Sequence, residues 1–66
     1  MKYDTGDVIT YRAFGGEIRK VLVIGKVSNI KNGLGGFDGL IIKENGDLDK
    51  IAVWGYDYQV VEVTCK

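Results

Sequence analysis

The side chains that carry most enzyme chemistry are scarce in this chain. It has no histidine and one cysteine, Cys65. Without imidazole, base catalysis falls to a carboxylate, a lysine or a thiolate. Cys65 stands next to the last residue, Lys66, a poor place to hold a nucleophile beside a fixed positive charge. The cysteine and histidine sets that hold zinc are excluded, and so is an internal disulfide. Glu44, Asp47 and Asp49 gather around Asn45-Gly46. Their order is not the D-x-[DN]-x-[DN]-G of a calcium loop. They read as a solvated hairpin tip, where Asn and Asp favour turns through local hydrogen bonds. No metal, no cofactor and no catalytic set is expected, and the chain reads as non-enzymatic.

The stretch NIKNGLGGFDGL, Asn29 to Leu40, has the glycine density of a phosphate-binding loop. A dinucleotide fingerprint needs G-x-G-x-x-G between a strand and a helix. Gly33 and Gly35 supply the first two glycines, but Asp38 stands at the third and a strand-like LIIKE follows. A P-loop needs glycine followed by Lys-Ser or Lys-Thr, and neither dipeptide occurs. The stretch is expected to be a flexible connection between two strands, with Asn32-Gly33 as its own turn.

Aromatic residues are the stronger lead. Four tyrosines, two phenylalanines and one tryptophan are more rings than so small a core can absorb. Exposed Tyr and Trp, often beside Arg, anchor binding surfaces. Trp54 and Tyr56 share a strand face, and Tyr58 follows a corner at Asp57. Trp54 is the ring expected in the core. The candidate surface is Tyr56, Tyr58, Tyr11 and Phe37, flanked by the cations Arg12, Arg19 and Lys20 on or beside the first hairpin.

Nine basic residues balance nine acidic ones, so formal net charge is zero. A nucleic-acid binder usually carries a basic excess. The balance favours a protein partner. Nucleic-acid or nucleotide binding by aromatic stacking is the alternative, and a homo-oligomer joined through strand edges is a third class. The longest apolar run, Val21 to Ile24, is too short to span a bilayer. The polar start MKYDTGD does not read as an export signal, and with the lone cysteine it points to the cytoplasm.

These residues must be positioned by strands. β-Branched and aromatic residues come in short runs punctuated by Gly, Asn and Asp, and no segment keeps a helical apolar stripe. Five runs predict five strands: Asp7 to Phe14, Glu17 to Val27, Phe37 to Glu44, Asp49 to Asp57 and Gln59 to Cys65. In the first, Ile9, Tyr11 and Ala13 share a face. Gly15-Gly16 and Asn45-Gly46 each predict a two-residue hairpin turn. The second run is apolar on both faces in its middle and is interrupted by Gly25, as expected of a strand that bends to serve two sheets. In the last, Val61 and Val63 are expected on one face and Val60 on the other. A chain of 66 residues forms one small domain at most, burying about 60% of its unfolded surface. All-β architecture, with the five strands closed into a small antiparallel barrel, would leave few edges to aggregate.

Gly6-Asp7-Val8 leading into the first strand, the long second strand, and the short last strands around VWGYDYQVVEV together resemble the Src-homology-3-like barrels, a group that includes Tudor-type domains. The resemblance covers nearly the whole chain and implies a binding module, with the loop after the second strand bordering its ligand face. The combination YRAFGGEIR, IKNG, GFDG and VWGYDYQ is also similar to uncharacterised small proteins of actinobacteria and their phages, which carry no assigned activity.

Overall fold

The computed structural model describes residues 2–64. It is all-β: β1 (Val8–Arg12), β2 (Ile18–Lys31), β3 (Leu34–Ile42), β4 (Leu48–Tyr56) and β5 (Val60–Thr64), with a 3₁₀ turn at Asp57–Gln59 between β4 and β5. Every pairing is antiparallel and the five strands form one sheet in the order β4-β3-β2-β1-β5. The hydrogen-bonded ladder is not closed, so β4 and β5 are its edges and the expected barrel closure is not met. In a flat sheet β1 and β4 would lie three strand spacings apart, about 14 Å. Yet the single side chain of Gln59 bonds both the Tyr56 amide at the end of β4 and the Arg12 carbonyl at the end of β1, each at 2.8 Å. The sheet is therefore strongly curled.

Two of the four register shifts bear on the core, because they decide which residues of β2 and β5 face inward. In β2, Val23 pairs with Gly39 but Gly25 pairs with Asp38, leaving Ile24 as an extra residue. The bulge falls beside Gly25, where a bend was expected, and it bends β2 within a single sheet rather than between two. In β5, Thr10 pairs with Glu62 but Tyr11 pairs with Val60. Val61 is the extra residue there, so Val60 and Val63 both reach the inner face. Simple alternation places Val61 with Val63 and fails for that reason.

The core consists of Tyr3, Ile9, Tyr11, Val21, Val23, Phe37 and Val60, with Ala13, Ile41, Val53 and Val63 packed against it. Phe37 is at its centre, fully buried, with Tyr3 and Tyr11 edge-on to its ring at 5.9 and 5.3 Å. Two inward-facing glycines make the space. A side chain at Gly55 would meet the Phe37 ring at 2.8 Å, and one at Gly39 would meet Val21 Cγ1 at 2.2 Å. The glycine-rich stretch is thus mostly strand, and the expected flexible connection shrinks to Asn32-Gly33. That pair is a two-residue turn, with Lys31 opposite Leu34 and both turn residues at positive φ, 53° and 81°.

The other two hairpins differ from expectation in the same way as each other. At Asn45-Gly46 only Gly46 has positive φ, and Lys43 bonds Asp47 and Gly46 across a three-residue loop. At Gly15-Gly16 the same pattern links Ala13 to Glu17 and Gly16, with Gly16 alone at positive φ. The loop is therefore Phe14-Gly15-Gly16. Phe14 leaves the strand and becomes a hairpin-tip residue.

Candidate functional site

The tip position throws the Phe14 ring outward, 71% exposed, beside the outer face of β4 and 6.2 Å from both Trp54 and Tyr56, ring centre to ring centre. Trp54 and Tyr56 share that face, with ring centres 5.4 Å apart and nearly perpendicular. Tyr58 in the 3₁₀ turn lies flat against Tyr56 at 5.1 Å and 11° between planes. Four rings from two distant segments thus form one contiguous cluster. Tyr58 is 65% and Trp54 49% exposed, so Trp54 belongs to the surface and not to the core.

Two part-buried contacts hold the backbone beneath this cluster. Gln59 is 6% exposed. Its Oε1 accepts a hydrogen bond from the Tyr56 amide at 2.8 Å, and its Nε2 donates to the Arg12 carbonyl at 2.8 Å. One side chain thereby ties the 3₁₀ turn to the end of β1. Asp57 supplies the second tie. Its carboxylate accepts a hydrogen bond from the buried Tyr3 hydroxyl and lies 3.6 Å from Lys26 Nζ. That ammonium also sits over the Tyr3 ring, 3.5 Å from its centre. Burial foremost, then the hydrogen bond to Asp57 and its negative charge, raise the Tyr3 phenol well above the usual tyrosine range.

Beside the rings runs a groove of about 430 Å³ lined by Arg12, Ala13, Phe14, Tyr58, Gln59 and Val61. A second groove of about 720 Å³ lies between the hairpins, with Arg19 and Lys20 among its lining residues. The two share no residue.

Of the residues singled out in the sequence, Tyr56, Tyr58 and Arg12 come together here. Arg19 and Lys20 do not, since both line the other groove, where Arg19 is ion-paired with Glu17 at 2.5 Å. Tyr11 and Phe37 are corrected from surface to core. Tyr11 points to the same face as Ile9 and is 5% exposed, and Phe37 fills the space that Gly55 leaves. Phe14 and Gln59 were missed. Phe14 depends on a loop one residue longer than Gly-Gly suggests, and Gln59 carries no local signal, because its partner Arg12 is 47 residues away.

Among the described residues no group of three or more Cys, Asp or Glu side chains is placed to share a metal ion, and no helix is long and apolar enough to cross a membrane. Cys65 lies outside the described residues. The chain matches no protein-family model, and comparison with curated proteins and with solved structures finds no significant match.

Proposed function

We propose that the chain is a non-enzymatic binding module that docks a protein partner through Phe14, Trp54, Tyr56, Tyr58 and Arg12. The observation that carries this reading is the exposed cluster of four touching rings. Contiguous exposed apolar surface marks interaction sites, and Trp, Tyr and Arg are the residues that dominate them. The ties through Gln59 and Asp57 support it further. A surface held in place before binding loses less entropy when the partner arrives. The strand order and the long bent β2 support a Src-homology-3-like module, and a phage- or host-encoded modulator of a larger cytoplasmic partner suits its size. The stacked Tyr56–Tyr58 pair beside Arg12 also suits a base or nucleotide, which is the second reading.

Affinity capture from the native cells, with nucleic acids retained, separates the two. The protein reading expects a partner held by the wild type at both about 50 and about 200 mM salt. A Phe14→Ser/Tyr58→Ser variant that melts like the wild type should lose it. Captured nucleic acid that washes off as salt rises favours the second reading. A partner retained equally by the variant refutes the site.

A further inference from the structure

We infer that the segment docked on this surface is an acidic peptide carrying apolar side chains, an inference that rests on the docking role of the aromatic cluster. The groove beside the rings presents one cation, Arg12, and no anion among its lining residues. Of the nearby carboxylates, Glu17 pairs with Arg19, Asp57 pairs with Lys26 and the Tyr3 hydroxyl, and Glu62, opposite Thr10, does not line the groove. Arg12 has no carboxylate partner among the described residues. Gln59, the other polar lining residue, uses both ends of its amide within the fold. The groove's charge selectivity therefore rests on one guanidinium, whose planar fork matches a carboxylate in two parallel hydrogen bonds.

The rest of the lining is apolar. Phe14, Tyr58 and Val61 are exposed apolar walls that take a Leu-, Phe- or Pro-sized side chain next to that carboxylate. A volume of about 430 Å³ admits a few peptide side chains.

Two competing ligand classes fit less well. An open aromatic cluster by itself attracts cations, but Arg12 in the adjoining groove repels them. A nucleic acid offers a row of phosphates, and each neutralised one adds to affinity and to salt dependence. Here one cation stands at the rings, Arg19 is paired with Glu17, and Lys20 is in the other groove.

The test uses the whole chain and the fluorescence of Trp54, its only tryptophan and a member of the cluster. The probes are a short capped peptide of glutamate with leucine and phenylalanine, its counterpart with lysine for glutamate, its counterpart with serine for the apolar residues, and oligothymidylate. The acidic apolar peptide should saturate the signal, at least about tenfold more tightly than either counterpart. Arg12→Glu should reverse the preference in favour of the lysine peptide while leaving thermal stability unchanged. A wild type that binds the lysine peptide as tightly overturns the charge assignment and leaves the docking surface standing. No saturation by any peptide, with capture of a native partner still dependent on Phe14 and Tyr58, overturns the ligand class alone. Tighter binding of oligothymidylate, lost in Phe14→Ser/Tyr58→Ser, overturns both the peptide ligand and the protein-docking role.

Discussion

Replacing Gln59 by methionine keeps the side chain's length and much of its volume but removes both hydrogen bonds that tie the 3₁₀ turn to β1. The Tyr56 amide and the Arg12 carbonyl each lose a partner at 2.8 Å. A hydrogen bond contributes about 0.5–1.5 kcal/mol net, and a buried group left without a partner costs about 1–3 kcal/mol. Both groups are only partly buried, so water recovers some of the loss, and about 2 kcal/mol for the pair is the reasoned figure. Total stability for a chain of this size is about 3–10 kcal/mol, so the loss is a large fraction. It corresponds to a fall in melting temperature of about 8–16 °C. Far-UV circular dichroism and urea titration measure the stability, and Trp54 emission reports whether the aromatic cluster loosens with it. Gln59→Glu is the informative companion. It keeps the acceptor for the Tyr56 amide but turns an oxygen toward the Arg12 carbonyl, so it should rescue little. Gln59→Met within about 0.5 kcal/mol of wild type, with unchanged Trp54 emission, would refute the claim that this side chain positions the site.

Gly39→Ala places a methyl 2.2 Å from Val21 Cγ1 and 2.7 Å from the Leu22 carbonyl. It should destabilise by about 1–3 kcal/mol in a urea melt, and a neutral result would show that β2 and β3 are not packed as described. At Gly46, with φ of 91°, valine should cost about 1 kcal/mol or more; an unchanged melt would argue against the left-handed position. The Tyr3 phenol is raised in the fold, so above about pH 10 the unfolded chain gives up its proton while the folded one keeps it. The stability associated with the neutral phenol is complete below that pH and is lost as pH rises toward the folded value. Urea midpoints measured on both sides of pH 10 should therefore fall with pH in the wild type and fall less in Tyr3→Phe. Equal slopes would place the Tyr3 hydroxyl in solvent.

The strands were legible because β-branched runs broken by Gly and Asn leave few alternatives to an antiparallel sheet. The inward set Ile9, Tyr11 and Ala13 was also readable from alternation, and it already argued against Tyr11 as a surface ring. Alternation failed at Val61, where an inserted residue moves the next side chain to the other face. Nothing local to Phe37 marks it as the centre of the core, since Gly55, which leaves it room, lies on a neighbouring strand. Trp54 was misplaced because size alone suggested burial, although it alternates with Val53, which packs on the core. At the site, Tyr56, Tyr58 and Arg12 were identifiable by residue type. Phe14 was not, because Gly15-Gly16 reads equally well as a two-residue turn. Gln59 acts through a contact that exists only once the sheet has curled.

The docking surface is tested most directly by photocrosslinking from within it. A benzoylphenylalanine at position 58 or 14 keeps an aromatic ring at two of the most exposed positions of the cluster, while the same group at Lys43 reports from the other groove. Irradiated in the native cells, positions 58 and 14 should yield the same protein adduct, absent from position 43 and weakened by Gln59→Met. Adducts of equal yield from all three positions, or adducts to nucleic acid alone, would contradict a protein-docking role for the Phe14–Trp54–Tyr56–Tyr58 face.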